Sequence, residues 1–441
     1  MMTVRMFFAY AAENKLPIHQ LDVQTAFLNA DMDYDVDVKL DGETVKVLQE
    51  LARELGIPEL DDNKVKRLGK ALYGLKQAPR QWYADVSKHL LDMGFEVHPV
   101  EECLFMKTKA DGTRVWVLLF VDDMVCIGDN ESDTIDFVES LQIKYDIKYL
   151  GEAEKFLGMR VTYSERGIKL DLETKTNELL ARFNMAGANS ANTPAKEGLD
   201  DELYEMEMKR REGLEDVVDF PVREAVGSLL YLSTMVRPDI SNAVRVLSRY
   251  LENPTSAVVT GIKRVMKYLQ GTAHVGIEYL YGHHSDVEGY CDASYAGDKH
   301  GRKSVSGYLL MVNGGLVDWK SQLQSVVAQS TMECEYIALA SLANRMRVLR
   351  LIRAWFGYVG EGAYAVYEDN DACEHLAKGA GKGMKRGKHI KVRFHVVREA
   401  VKKKEIEVIH LATSEQIADA LTKNLGDVKF SYLIPRIVCD E

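Results

Sequence analysis

Trp116-Val117-Leu118-Leu119-Phe120-Val121-Asp122-Asp123-Met124-Val125-Cys126-Ile127 is apolar on both sides of one pair of carboxylates. The runs Val115–Val121 and Met124–Ile127, joined through Asp122-Asp123, predict a β-hairpin. No purely apolar stretch of the chain is longer than Val115–Val121, which is far too short to span a bilayer. Aspartate favours turns for its own sake, so the dipeptide alone needs no further explanation. Asp22 changes the reading. It ends a second strand-like segment, Ile18-His19-Gln20-Leu21-Asp22. Three carboxylates at strand ends can hold a pair of Mg²⁺ ions, with Mn²⁺ as an alternative, for phosphoryl transfer. Neighbours along a strand point to opposite faces, which makes Asp122 the expected ligand beside Asp22 and Asp123 the lesser one.

Working outward, Thr3–Asn14 has helical spacing and leads into the strand Ile18–Val23. The run Met6-Phe7-Phe8-Ala9-Tyr10-Ala11-Ala12 after Arg5 is short for a signal peptide and reads as a core helix. An acid-rich stretch, Asp31–Asp41, precedes a helix ending near Gly56-Ile57-Pro58. Leu72–Met93 reads as a helix that Pro79 breaks or starts. Beyond the hairpin, helices are expected over Asp171–Ala186, Arg223–Leu251 and Thr260–Leu269, with a charged, loop-rich connector at Asn189–Pro221.

After Gly282 the texture changes. Strands at Val287–Ala293, Ser304–Val312 and Leu316–Ser321 precede a long helix, Met332–Phe356. A strand (Tyr364–Glu368), a helix, a basic helix around Ile390–Lys404, a strand (Ile406–Leu411) and a last helix follow. That order predicts an α/β unit with a mixed sheet. It brings a second set of carboxylates into play: Asp292 and Asp369 end strands, Glu335 lies early in the long helix, and Asp419 lies in the last helix. Such a cage suits two Mg²⁺ ions and water-driven phosphodiester hydrolysis. Ser330-Thr331-Met332-Glu333 is a capping box that occupies Glu333 and leaves Glu335 as the candidate. Glu368 alternates away from Asp369. Thr413-Ser414-Glu415-Gln416 reads as another capping box, two turns before Asp419.

At 441 residues the chain predicts two to four domains. A net charge of −11 argues against a uniform nucleic-acid-binding surface, but charge is local: Lys378–Lys404 is almost purely basic, while Glu197–Asp219 is mostly acidic. Six scattered cysteines, with no CxxC pair, read as reduced, mostly buried thiols.

Leu21-Asp22-Val23-Gln24-Thr25-Ala26-Phe27-Leu28-Asn29, Leu72-Tyr73-Gly74-Leu75-Lys76-Gln77-Ala78-Pro79-Arg80-Gln81-Trp82-Tyr83 and Phe120-Val121-Asp122-Asp123-Met124 resemble successive palm motifs of copia-type retrotransposon reverse transcriptases. Phe156-Leu157-Gly158 resembles their primer-grip turn, and Gly227–Leu232 with Arg237–Ile240 the link to ribonuclease H. Asp292 with Tyr295–Asp298, Arg302–Tyr308, Glu333–Leu339, Lys388–His395 and Ala418–Lys423 resemble the ribonuclease H of the same elements. The motifs run in the family's order over nearly the whole chain. Phe120 stands where the family commonly has tyrosine, and Thr413-Ser414 where many ribonucleases H carry a histidine.

The resemblance implies two metal sites, Asp22/Asp122/Asp123 and Asp292/Glu335/Asp369/Asp419. Gln77 would lie against the incoming nucleotide and templating pair. Phe27 would be a steric gate under the sugar, although by spacing alone it reads as a core aromatic. Lys76 and Arg80 read equally as phosphate contacts and as solvated charges. Lys385, Arg386, Lys388 and Arg393 would grip nucleic acid. His389 and His395 fit a helix surface. The expected partners are an RNA template, a DNA primer strand, an RNA–DNA hybrid and deoxynucleoside triphosphates. The expected compartment is the cytoplasm, virus-like particles included, or the nucleus.

The expected fold class is therefore α+β and α/β, multidomain. A partial palm without fingers occupies 1–165 and a helical thumb or connection 166–283, with its acidic linker near 189–221. A ribonuclease H-like mixed sheet with flanking helices spans 284–426, and 427–441 is a tail. The expected activity is RNA-directed DNA polymerisation with hybrid cleavage. The alternatives are ribonuclease H activity alone and a non-catalytic nucleic-acid-binding remnant.

Overall fold

The computed structural model describes the chain except residues 59–64, 214–217, 285, 380–387 and 441, and at 388–394 it describes the backbone alone. The chain divides into two compact units, Pro17–Ala153 and Met1–Leu16 with Glu154–Glu441.

In Pro17–Ala153 a six-stranded antiparallel sheet runs in the order Glu96–Val97, Leu104–Thr108, Arg114–Phe120, Asp123–Gly128, His19–Val23, Ile147–Glu152. Alternation along the hairpin sends Val115, Val117, Leu119, Met124 and Cys126 into one core with Trp82, Val86, Leu90 and Phe137 of the helices Ala78–Asp92 and Glu131–Gln142. Pro79 starts its helix: it occupies the first turn, where its missing N–H costs nothing. Asp41 caps Gly42–Leu55 by accepting from Thr44 N at 2.7 Å, and Gly56, left-handed at φ 65°, ends it.

The second unit holds a four-stranded antiparallel sheet, Ile277–Leu280, Gly167–Asp171, Met159–Tyr163, Lys155–Phe156. It also holds a five-stranded mixed sheet in the order Gly315–Leu323, Val305–Val312, Glu288–Ser294, Tyr364–Glu368, Ile406–His410. The first three of these pair antiparallel, Tyr364–Glu368 joins Glu288–Ser294 in parallel and Ile406–His410 joins Tyr364–Glu368 in parallel, the mixed sheet expected from the element order. The helix Thr331–Trp355 packs on this sheet; a side chain at Gly289 would collide with Met346 and Leu342 of that helix.

Several sequence expectations need correction. The helix Met2–Asn14, assigned with the palm, is buried on every side within the other unit. Arg5 donates to the carbonyls of Thr234, Met235 and Val317, and Asn313 Nδ2 reaches Ala9 O at 3.1 Å and Glu13 Oε2 at 2.6 Å. Residues 154–165 also belong to that unit. Within the expected linker, Leu199–Arg211 is a helix. Asp200, Asp201 and Glu202 open it and Lys209, Arg210 and Arg211 close it, the charge order that a helix dipole favours. Asp171 ends a strand and is not the start of a helix; its carboxylate accepts from Glu173 N at 3.0 Å, and the helix runs Glu173–Arg182. The expected tail contains the helix Asp427–Leu433, whose Phe430 packs edge-on against Tyr268. The expected last helix around Asp419 is two short 3-10 turns, Thr413–Glu415 and Ile417–Leu421. The second capping box does not form, because the Gln416 side chain accepts from Ala418 N and is otherwise spent on the sheet.

Candidate active sites

The hairpin turns through two residues, Val121 and Asp122, with Phe120 and Asp123 as its last pair. Val121 sits at φ 57°, a costly conformation for a β-branched residue, and its carbonyl is held by Trp82 Nε1 at 2.6 Å. Val23 N donates to Asp122 O at 2.9 Å, tying the turn to the strand that carries Asp22. The register then sets Asp22 opposite Asp123, on the sheet face away from Leu21 and Met124. This reverses the expected preference for Asp122 as the residue beside Asp22: the turn falls one residue earlier than a loop formed by the two aspartates. Gln24 Nε2 donates to Asp22 Oδ2 at 2.5 Å. All three aspartates are half-buried.

Phe27 is 9% exposed, belongs to the core and lies 4.5 Å from the ring of Tyr73. Lys76, Gln77 and Arg80 are exposed around the start of the helix Ala78–Asp92. Lys385 and Arg386 lie outside the described residues, as do the side chains of Lys388, His389 and Arg393; His395 is exposed.

In the mixed sheet, Asp292 is on the strand Glu288–Ser294, Asp369 directly follows Tyr364–Glu368, and Glu335 is one turn into Thr331–Trp355. Carboxylate oxygens of these three lie within 4.8 Å of one another. Asp292 and Glu335 are buried, and Glu335 Oε2 has no hydrogen-bond partner. Burial, offset by Lys423 and reinforced by Asp419, pushes Asp292 up to about 6. Burial, then Asp292, Glu368 and Asp369, holds Glu335 far above the usual carboxylate range. A buried set of like charges with an orphaned oxygen fits a divalent cation, which would supply both the missing charge and the missing partner.

Ser330 caps the long helix as expected, accepting from Glu333 N at 3.2 Å, and Glu333 Oε2 accepts from Gln329 N at 2.9 Å. Glu368, the last residue of its strand, is fully buried and accepts from the Cys291 thiol at 3.1 Å; burial raises it to about 8.

Asp419 reaches the cage by a route the sequence did not reveal. Gln416, fully buried, donates to Cys291 O at 3.0 Å and Tyr367 O at 3.4 Å, the carbonyls just before Asp292 and Glu368. Gly307 is the strand partner of Asp292, and a Cβ there would come within 2.7 Å of Thr422 Cγ2. Its absence lets the Asp419 segment lie on the sheet. Thr422 Oγ1 donates to Asp292, and Lys423 Nζ donates to Asp419 Oδ1 at 2.5 Å and Asp292 Oδ1 at 3.3 Å. Lys429, from the expected tail, also binds Asp419. The only hint at these groups in the sequence was the run Ala418–Lys423, read for its acid alone.

His410 ends its strand with Nδ1 3.1 Å from Asp371 and 3.9 Å from Glu374, and Glu374 is paired with Lys378 at 2.5 Å. This partly exposed group already carries Lys378 on one of its carboxylates.

A family model described as reverse transcriptase (RNA-dependent DNA polymerase) matches residues 1–197. The retrovirus-related Pol polyprotein from transposon TNT 1-94 of Nicotiana tabacum is 34% identical over 98% of this chain, which spans 31% of that polyprotein. The putative transposon Ty5-1 protein of Saccharomyces cerevisiae is 30% identical over 72% of this chain and 97% of its own length. Among solved structures, a foamy viral protease-reverse transcriptase in complex with an RNA/DNA hybrid is matched over 92% of this chain and 45% of that one, with 13% identity and a TM-score of 0.45.

Proposed function

The chain belongs to the copia-type retrotransposon Pol polyproteins, and from that premise we propose that it cleaves the RNA strand of an RNA–DNA hybrid and adds deoxynucleotides to a primer. The observation that carries the nuclease half is the buried trio Asp292, Glu335 and Asp369 with the orphaned Glu335 oxygen. In this reading Asp292, Glu335, Asp369 and Asp419 hold two Mg²⁺ or Mn²⁺ ions. Bound there, the metal would make a water nucleophilic near neutral pH and offset charge on the leaving oxygen. The protein's own work is positioning. Gln416 and Gly307 fix the Asp419 segment against the strand of Asp292, and the Ser330 cap fixes the turn that presents Glu335.

For synthesis, Asp22, Asp122 and Asp123 take the metal, with the strained Val121 turn setting their spacing. Lys76, Gln77 and Arg80, exposed on one helix start, meet the templating pair and triphosphate. Phe27, buried with one edge open, limits the sugar from below the core surface. Lys385, Arg386, Lys388 and Arg393 supply phosphate contacts, which makes binding salt-dependent. The palm corresponds to Pro17–Ala153, and the thumb, connection and ribonuclease H to the other unit. No helix among the described residues is long and apolar enough to cross a membrane.

One observation favours hybrid cleavage as the sole activity of this chain. Among the described residues, the palm aspartates are not a group whose oxygens all lie within 4.8 Å, whereas Asp292, Glu335 and Asp369 are. Primer extension and hybrid cleavage on one protein sample, with and without Mg²⁺, separate the readings. Cleavage without extension selects the nuclease alone; binding with neither activity selects a non-catalytic remnant.

A further inference from the structure

Lys423 is an exposed residue whose ammonium nevertheless ends between two buried carboxylates of the cage. Its ammonium bridges two buried carboxylates from different segments, Asp292 at 3.3 Å and Asp419 at 2.5 Å, and Thr422 and Lys429 take the outer oxygens. Asp419 is thereby held apart from the trio Asp292, Glu335, Asp369, the group whose oxygens already lie close enough to share one cation. The four carboxylates therefore present one open cation position and one filled by an amine.

We propose that Lys423 is an internal counter-cation that occupies the position between Asp292 and Asp419 and gives it up when a second divalent ion binds. This rests on the two-ion reading given above. The side chain has somewhere to go: it also lines a cavity of about 220 Å³ with Asp200, Asp201 and Asn424. Asp200 is held there by Asn424 Nδ2 at 2.9 Å and can take the displaced ammonium as a neighbour. With 41% of its side chain exposed, Lys423 moves without unpacking the core. The first ion then binds to preformed ligands, while the second must displace a charge, so the two affinities separate.

The test is Mn²⁺ binding to the full chain by calorimetry, without nucleic acid, for the unaltered protein, Lys423→Gln and Lys423→Arg. Removing the ammonium should tighten the weaker of the Mn²⁺ sites that Asp369→Asn abolishes by about tenfold, since water screens part of the competing charge, and the Arg variant should behave as the unaltered protein. A parallel measurement needs no substitution: an amine-acylating reagent, read by mass spectrometry, should label Lys423 faster once Mn²⁺ saturates the protein. If Lys423→Gln binds two Mn²⁺ ions no more tightly, or labelling is unchanged or slower with Mn²⁺, the counter-cation assignment is overturned. If even the unaltered protein binds no Mn²⁺ that Asp369→Asn abolishes, the two-ion reading itself falls.

Discussion

Replacing Glu335 by Gln should make the metal-free protein more stable. Burial and three carboxyl neighbours hold this group far above its ordinary value of 4.5. At pH 7.5 the folded protein therefore keeps a proton that the unfolded chain has lost, and folding must take it up. That uptake costs about 1.4 kcal/mol for each pH unit above the ordinary value, or about 4 kcal/mol at pH 7.5. The sign follows from the folded pKa being the higher one: the penalty is absent below about pH 4.5 and grows as pH rises towards the folded value. Glutamine fills the same volume and carries no titrating proton. Allowing half of the penalty for local relaxation leaves about 2 kcal/mol, a rise of roughly 3 °C in the melting midpoint of a unit this size. Thermal unfolding with EDTA at pH 4.5 and pH 7.5 is the assay, and the gain should be confined to the higher pH. Mg²⁺ should stabilise the unaltered protein and do much less for the variant. An unchanged or lower midpoint at pH 7.5, or a difference independent of pH, would refute the account of the cage.

Asp122→Asn should abolish nucleotide addition and spare hybrid cleavage, with Asp369→Asn doing the reverse; primer-extension and cleavage gels on folded variants check both. Arg5→Met should cost about 3 kcal/mol, because the carbonyls of Thr234, Met235 and Val317 lose their donor in a buried site, and denaturant unfolding measures it. Neutralising Lys385, Arg386 and Lys388 together should flatten the salt dependence of hybrid binding by about three counterions' worth of slope, read from affinities between 50 and 200 mM salt, about the range where such slopes are plain.

What the sequence made legible was local. The apolar hairpin, the strand that contains Asp292, the strand that runs up to Asp369, and the Ser330–Glu333 cap all depend on neighbours a few residues apart, and the structure has each of them. The Leu199–Arg211 helix was missed because it is charged nearly all round and offers no apolar period; its end charges were the available signal. Gln416 was misassigned because its partners, Cys291 O and Tyr367 O, are remote in sequence. The same distance hid Lys423 and Lys429 behind Asp419. At the hairpin, the apolar pattern located the turn but not its register. One residue of displacement decided that Asp123 faces Asp22.

The buried helix Met2–Asn14 has a consequence for the order in which the protein can be made. Arg5 must wait for Val317, 312 residues later, before its guanidinium is fully bonded. At about 5–20 residues per second of synthesis, that wait is roughly 15–60 s. During it the cover of the helix arrives piecemeal: Phe8 can meet Phe156 about midway, whereas Phe7 meets Phe356 only later still. Pro17–Ala153, complete in sequence long before, can close while most of the other unit is still to be made. Met2–Asn14 is thus among the last elements of its unit to be fully housed, and a chaperone that binds apolar helices should find a target there, on a ribosome still reading.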